Sequence, residues 1–109
     1  MKKVYITVAL AVTLVALGLH PVHALPLYHA PNYYEDYIVQ HESSGRSWAV
    51  NSIGCAGLMQ ACPGTKLSNA CPAWIWDINC QLRFFTGYMS GRYGSWYTAY
   101  NFHLKNSWW

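Results

Sequence analysis

Residues 33–45 read YYEDYIVQHESSG, and their side chains repeat with the period of an α-helix. Four of them fall at positions i, i+3, i+4 and i+7, which places them on one helical face. The side chains of that face are Tyr34, Tyr37, Ile38 and His41. Gly45 follows the serine pair at 43–44, and glycine is common just beyond a helix C-terminus. The pattern predicts a helix from residue 33 to residue 43.

Two more helices are predicted in the second half of the chain. Asp77 is suited to cap a helix that runs to about Ser90, and Gly91 and Gly94 flank its end. Ile78, Leu82, Phe85 and Met89 form the repeat of that helix. Ser95 can cap a last helix that runs to about His103. Its predicted face comprises Trp96, Tyr100 and Leu104, and Trp108-Trp109 is predicted to plug the core.

The chain between these helices shows no sustained period. Residues 46–54 predict a loop with a short hairpin, and residues 57–61 predict one helical turn before Pro63-Gly64 breaks the chain. Residues 62–76 predict a loop that disulfides would order. We therefore expect an extended lead-in over residues 25–32 and one mostly α domain over residues 33–109, with little or no sheet.

The first 24 residues have the features of a signal peptide. Lys2 and Lys3 precede an uncharged apolar run over residues 4–19, and Val22-His23-Ala24 is a small-x-small cleavage site. The alternative is an uncleaved membrane anchor, since about 16 apolar residues are at the short edge of what can span a hydrocarbon core of about 30 Å. We favour cleavage after Ala24, which predicts a secreted monomer, extracellular or associated with the cell wall, without stable membrane insertion.

The four cysteines of the chain all follow the predicted cleavage site. They are Cys55, Cys62, Cys71 and Cys80. An even number of cysteines in a short exported chain favours disulfides, and three pairings are possible. No C-x-x-C pair and no H-E-x-x-H motif accompanies them, so we expect neither a zinc site nor any other metal or cofactor.

Charge and aromatic content narrow the class of ligand. Without Lys2 and Lys3 the chain has five cationic residues against four carboxylates. Such weak net charge argues against a nucleic-acid partner, which normally selects a basic stripe. Aromatic residues make up 17% of the chain. Amphipathic rings suit a carbohydrate groove, and equally a small hydrophobic core.

Glu42 is the best placed candidate for acid catalysis. Cleaving a glycosidic bond requires a carboxylic acid that donates a proton to the leaving oxygen. Glu42 falls in the last turn of the first predicted helix, after the apolar pair Ile38-Val39. The partial negative charge of a helix C-terminus and apolar surroundings both disfavour an ionised carboxylate. This position therefore suits a proton donor.

Several short motifs occur in a recognisable order. They are His41-Glu42-Ser43-Ser44-Gly45, Asn51, Gly57-Leu58-Met59-Gln60, Pro63-Gly64-Thr65 and Ala99-Tyr100-Asn101. Together they resemble the lytic transglycosylases of the lysozyme-like superfamily, which show an E-S signature, a G-L-M-Q-x-x-P-x-T run and an A-Y-N tripeptide. Residues 81–83 and 92–96, with the closing Trp108-Trp109, further resemble the compact secreted branch related to aggregation-promoting factors.

The resemblance covers residues 37–109 and implies a small lysozyme-like domain that cleaves the MurNAc-GlcNAc bond of peptidoglycan glycan strands. Glu42 matches the catalytic glutamate, Gln60 the cleft glutamine and Tyr100 the cleft tyrosine. Asn51 matches a serine or asparagine that contacts the sugar near the reacting bond. Two departures are present: Phe102 replaces a glycine that often follows A-Y-N, and the chain is shorter than full-length domains of this family.

The shortage of carboxylates bears on the type of reaction. Retaining and inverting glycosidases use two carboxylates. Glu35 is seven positions before Glu42, about 10 Å away along a helix axis and beyond the roughly 6.5–9.5 Å of an inverting pair. Asp36 points about 120° away from Glu42, and Asp77 is assigned as a cap. Neither Asp36 nor Asp77 is therefore a persuasive second carboxylate for Glu42.

The lytic transglycosylases that the chain resembles need only one carboxylate. In these enzymes the N-acetyl group of the substrate sugar assists at the anomeric carbon. The 6-hydroxyl of the same sugar then closes a 1,6-anhydro ring. Glu42 would act first as acid and then as base. The alternatives are a hydrolytic muramidase that shares Glu42, a non-catalytic disulfide-stapled wall-binding or toxin-like protein, and, if residues 1–24 are retained, a membrane-anchored structural protein.

Overall fold

The computed structural model describes residues 25–109, so the predicted signal peptide lies outside the described residues. The described part contains four α-helices. They are α1 (Tyr33–Ser43), α2 (Thr65–Ala70), α3 (Ile78–Tyr93) and α4 (Trp96–Asn106). About half of this part is helical, and it holds isolated β-bridges but no strand, which confirms the mostly α prediction. None of these helices is long and apolar enough to cross a membrane.

Helix α1 has the predicted bounds, but a different set of its side chains is buried. Asn32 caps its start by accepting hydrogen bonds from the backbone N–H groups of Tyr34 and Glu35. The buried side chains are Glu35, Ile38, Val39 and Ser43, whereas His41 is exposed. The fully apolar Ile38 and Val39 enter the core, and the ring side chains with polar tips stay at its edge. The predicted face was therefore rotated from the true one.

The lead-in, residues 25–32, is hydrogen-bonded to the C-terminal end of α1. The backbone N–H of Tyr28 donates to the carbonyl of Gly45 at 2.8 Å, and Gln40 Nε2 donates to the carbonyl of Tyr28 at 2.9 Å. Gly45 has a φ of +79°, and a Cβ added there would lie 2.5 Å from the Tyr28 carbonyl oxygen. Only glycine permits both this conformation and this close approach.

Residues 49–61 fold into a tight looped hairpin rather than the predicted helical turn. Ala56 and Ala61 exchange backbone hydrogen bonds of 3.0 and 2.8 Å across residues 57–60. Gly57 and Gln60 have φ values of +88° and +56°. Left-handed backbone at both ends of the G-L-M-Q run is incompatible with a right-handed helical turn.

Gln81 ties this hairpin to α3. Its side chain is fully buried, and its Oε1 accepts the Leu58 N–H at 2.9 Å. Its Nε2 donates to the carbonyls of Ser47 and Trp74. A Cβ at Gly57 would lie 2.8 Å from Gln81 Oε1, so the glycine leaves the space that this amide occupies. One buried side chain thus satisfies three backbone groups of two loops.

The cysteines form two bridges, Cys55–Cys62 and Cys71–Cys80. The first closes the hairpin on itself, and the second joins the region before α3 to its first turn. The predicted loop over residues 62–76 contains the six-residue helix α2. Leu67 is completely buried within it. A short helix gains most of its stability from tertiary packing, which local periodicity does not report.

Helices α3 and α4 begin at the predicted caps and end later than predicted. Asp77 accepts the Cys80 N–H, and Ser95 accepts the Thr98 N–H. Helix α3 continues through Gly91 to Tyr93, and Gly94, with a φ of +82°, follows it.

Helix α4 buries a different face from the predicted one. It runs three residues beyond His103, to Asn106. Its buried side chains are Ala99 and His103, whereas the predicted face residue Leu104 is 49% exposed. Only half of the predicted plug enters the fold: Trp109 packs against the core, and Trp108 is 52% exposed.

Candidate active site

A cavity of about 140 Å³ opens beside the C-terminal end of α1. Helix α1 contributes Glu42, the hairpin contributes residues 60–62, and α2 contributes Lys66. Helix α3 presents a stripe of residues four positions apart, and the C-terminal segment supplies two rings. These residues are Phe84, Tyr88, Arg92, Trp108 and Trp109. The cavity therefore combines one carboxylate, two cations and four aromatic rings.

The C-terminal ring is held in place by the G-L-M-Q turn. Trp109 Nε1 donates to the carbonyl of Met59 at 2.7 Å, and the Trp109 ring lies edge-on to Tyr88 with centroids 5.1 Å apart. Met59 is completely buried. Its backbone thus fixes one aromatic wall of the cavity.

Glu42 is the one carboxylate of the four that faces this cavity. Its side chain is 20% exposed. Ser43, the next residue, completes α1, and Arg46 Nε donates to the Ser43 carbonyl at 2.9 Å. A cationic group therefore offsets the helix dipole beside Glu42.

The other three carboxylates are committed elsewhere. Asp77 caps α3. Asp36 Oδ1 accepts hydrogen bonds from the Ala30 N–H and Gln40 Nε2. Glu35 is buried on the core face of α1, where burial and then the nearby Asp36 charge raise its pKa above the ordinary 4.5. None of the three lines the cavity with Glu42.

His103 is the direct partner of Glu42. Its Nε2 lies 2.8 Å from Glu42 Oε1, although the two residues are 61 positions apart in the chain. The imidazole is 6% exposed, and it meets the ring of Tyr37 edge-on at a centroid distance of 5.7 Å. Glu42 Oε2 has no hydrogen-bond partner from the described residues. The pair therefore leaves one carboxylate oxygen free for a ligand.

The surroundings of His103 favour one tautomer. Nδ1 is buried and has no hydrogen-bond partner in the described part of the chain. A hydrogen on Nδ1 would be a buried donor without an acceptor, which is rarer and costlier than an unpaired acceptor. The favoured tautomer therefore has its hydrogen on Nε2, and Nε2–H donates to Glu42 Oε1. This donation works whether Oε2 of Glu42 carries a proton or not.

Gln60 also lines the cavity, but its amide is largely engaged by the backbone. Nε2 donates to the carbonyls of Ala49 and Gly57, at 3.0 and 2.9 Å. The residue is 7% exposed. Both amide hydrogens are thus used to hold the hairpin, and the side-chain oxygen is the group left to accept a hydrogen bond from a ligand.

The other two predicted site residues lie away from the cavity lining. Asn51 is exposed, and its Oδ1 accepts the N–H groups of Ile53 and Cys55 within its own loop. Tyr100 packs among tyrosines of both helices, with Tyr37 edge-on at a centroid distance of 4.9 Å. Burial, then a hydrogen bond with Tyr33, raises the Tyr100 pKa above its usual 10.0. The structure thus brings Glu42 and Gln60 together, and not Asn51 or Tyr100.

Sequence reasoning missed His103, Lys66, Tyr88 and Arg92 as site residues. His103 is four positions after the buried Ala99, so a helical wheel centred on Ala99 would have marked it as inward-facing. Tyr88 and Arg92 follow Phe84 at four-residue spacing along α3. This row lies beside the repeat of α3 that the sequence predicted, which includes Phe85 and Met89. Lys66 had no local signal, because its position depends on α2.

Comparisons with family models, with curated proteins and with solved structures gave no match for this chain. Within residues 25–109, no three histidine, cysteine, aspartate or glutamate side chains come together in a metal-binding arrangement.

Proposed function

We propose that this protein cleaves peptidoglycan glycan strands by lytic transglycosylation, with Glu42 as its catalytic carboxylate. The observation that carries the proposal is that Glu42 alone among the four carboxylates lines the cavity, beside four aromatic rings. Aromatic rings suit the apolar faces of sugars. A single carboxylate suits a reaction in which the substrate supplies its own nucleophile. The motif resemblance to lytic transglycosylases supports the same assignment.

The reaction proceeds in two proton transfers at Glu42. Protonated Glu42 first gives its proton to the glycosidic oxygen as the bond to the anomeric carbon breaks, assisted by the N-acetyl oxygen of the same sugar. The resulting carboxylate then takes the proton of the sugar's 6-hydroxyl, whose oxygen bonds to the anomeric carbon and displaces the N-acetyl oxygen. Glu42 is left protonated, as it began. The product carries a 1,6-anhydro ring.

His103 acts as a positioning residue in both steps. Its Nε2–H occupies Glu42 Oε1, which leaves Oε2 to carry the transferred proton. When Glu42 becomes a carboxylate, the same hydrogen bond becomes charge-assisted and therefore stronger. His103 need not change its own protonation state during the cycle.

A hydrolytic muramidase would need a second carboxylate or another group to activate water. Glu35, seven positions before Glu42 on the same helix, is buried on the core face and does not line the cavity. This arrangement favours transglycosylation over hydrolysis.

The test is mass spectrometry of products from purified peptidoglycan treated with the oxidised protein. Glu42→Gln removes the proton and keeps the shape, and Glu35→Gln is the matched control on the same helix. We expect anhydro-muropeptides from the wild type and from Glu35→Gln, and none from Glu42→Gln. Products with reducing ends would identify a hydrolase. Equal cleavage by the Glu42→Gln variant, or none by the wild type, would refute the proposed activity.

A further inference from the structure

Lys66 and Arg92 are two cations on the lining of the Glu42 cavity. Helix α2 carries Lys66 in its first turn, and α3 carries Arg92 in its last turn. Both approach the same ring: Lys66 Nζ lies 5.8 Å from the Tyr88 centroid, and Arg92 Nη1 donates to the Tyr88 hydroxyl at 3.2 Å. Two helices thus bring positive charge to one side of the cavity.

Neither cation has an acidic partner in residues 25–109. The four side-chain carboxylates are accounted for by a helix cap, the lead-in, the core face of α1 and the contact with His103. Aromatic contacts hold the cations instead: the Arg92 guanidinium carbon also lies 5.4 Å from the Tyr93 centroid and 5.8 Å from the Trp108 centroid. Cation–π contacts orient a charge without neutralising it. Both charges therefore remain available to a ligand.

The cavity offers two kinds of contact to one ligand. The rings of Tyr88 and Trp108 suit the apolar face of a sugar. The guanidinium of Arg92 is suited to bind a planar carboxylate through two donors, and Lys66 adds a second, more mobile charge. Even with Glu42 ionised, the two cationic side chains outnumber the one acidic side chain of the lining. A neutral sugar would leave this charge unused.

We propose that Lys66 and Arg92 form an anion subsite beside Glu42 that selects glycans bearing a carboxylate over neutral glycans of the same backbone. The inference rests on the proposed function in taking the ligand to be a peptidoglycan strand. The carboxylate has two sources there: the free lactyl group of a muramic sugar that lacks a peptide stem, and the peptide stem itself where it is amide-linked to that lactyl group.

Binding rather than cleavage tests the subsite. Isothermal titration calorimetry on the Glu42→Gln protein, which does not turn over its ligand, would compare three soluble oligosaccharides. One is a neutral N-acetylglucosamine oligomer, one is a peptide-free glycan fragment with lactyl carboxylates, and one carries peptide stems. We expect at least one of the two acidic ligands to bind at least tenfold more tightly than the neutral oligomer at low salt, and this preference to shrink as salt screens the charges.

Variants assign the preference to the two cations. Lys66→Gln and Arg92→Gln together should reduce binding of the preferred acidic ligand about tenfold or more, and change binding of the neutral oligomer by less than about twofold. Arg83→Gln is the matched control, because Arg83 is exposed on α3 and does not line the cavity. The peptide-free ligand should lose affinity if the free lactyl carboxylate is read, and the stem-bearing ligand, whose lactyl carboxyl is an amide, should lose affinity if the stem carboxylates are read.

Three results would overturn the proposal. The first is equal affinity for the neutral and the acidic ligands, and the second is an equal loss of affinity for neutral and acidic ligands in the double variant. The third is that none of the three oligosaccharides binds. Failure of catalysis is a separate outcome. If the wild type proves unable to cleave peptidoglycan and the carboxylate preference persists, the subsite stands and the proposed activity does not.

Discussion

Helices α1 and α4 run in the same direction and contact each other along their lengths. The N-terminal and C-terminal ends of this helix pair are built differently. At one end lies a tyrosine cluster, in which rings pack edge-on; its members are Tyr33, Tyr34, Tyr37, Tyr97 and Tyr100. At the other end Glu42 meets His103 beside an open cavity.

The tyrosine cluster is an arrangement that stabilises the folded protein. Each aromatic pair contributes about 0.5–1.5 kcal/mol beyond its buried area. The Glu42 end instead buries an imidazole whose Nδ1 has no partner among the described residues. An unsatisfied buried polar group costs roughly 1–3 kcal/mol. Local sacrifices of this kind concentrate at functional sites, so the difference supports the proposed site at the Glu42 end.

The largest expected effect is on catalysis at the Glu42 end. Glu42→Gln should lower the rate of glycan cleavage by about 10²–10⁴-fold, because a positioned general acid contributes a factor of that size. The measurement is release of soluble fragments from labelled peptidoglycan. Unfolding in urea should show that the variant stays folded, since glutamine can still accept the His103 hydrogen bond. A loss below about tenfold would remove Glu42 from the centre of the reaction.

Replacing His103 should give the next largest effect. His103→Leu removes the donor to Glu42 Oε1, and His103→Gln retains an N–H donor at a similar reach. Because a hydrogen bond to a charged group is worth about 1.5–3 kcal/mol, we expect kcat to fall about ten- to hundredfold in the leucine variant.

The substrate's KM should stay within about twofold in the leucine variant, and the glutamine variant should recover most of the lost kcat. If His103 had a purely structural role, kcat would fall equally in both variants, and the fall would follow the change in their free energies of unfolding.

A smaller effect is expected at the tyrosine cluster. Tyr100→Phe keeps the ring and removes the hydroxyl that bonds to Tyr33. We expect the free energy of unfolding in urea to fall slightly, and the cleavage rate to change by less than about threefold. If the cleavage rate instead falls a hundredfold at unchanged stability, the substrate cleft extends along α1 to the cluster, and the contrast between the two ends fails.

The smallest effect concerns Glu35, which is buried in the first turn of α1. Its pKa is raised in the folded protein above the ordinary 4.5, so the folded state binds its proton more tightly than the unfolded state. Stability should therefore decline as pH rises from about the ordinary value through the raised one. Below that window the contribution is fully present.

Glu35→Gln should flatten this part of the stability curve and stabilise the protein at neutral pH relative to wild type. Urea unfolding from pH 4 to pH 7 measures it, with Asp77→Asn as a comparison outside the core. A wild-type curve that rises across the same interval would contradict the assignment.

Much of the helical framework was predictable because its signals are local. Asp77 and Ser95 act through hydrogen bonds to backbone groups three residues away, and the core repeat of α3 recurs every turn. Helix α2 was missed, since Leu67 is buried by contacts made after the chain has folded. The left-handed turn at Gln60 likewise depends on the surrounding hairpin.

The candidate site was only partly predictable. Glu42 and Gln60 were identified from short motifs, and both line the cavity. Tyr100 was expected in the cleft, but it lies one helical turn before His103 and packs against Tyr37 and Tyr33. The residue that touches Glu42 was not identified, since no local pattern relates positions 42 and 103.

By itself, the sequence determined the caps, the helical repeats, the supply of cysteines and the small number of carboxylates, since each depends on residue type or on neighbours within a turn. The tertiary structure decided which cysteines pair, which face of each helix is buried, and which side chains meet Glu42. Those outcomes depend on how α1, α3, α4 and the hairpin pack together. Contacts between residues 61 positions apart form only when that packing is complete.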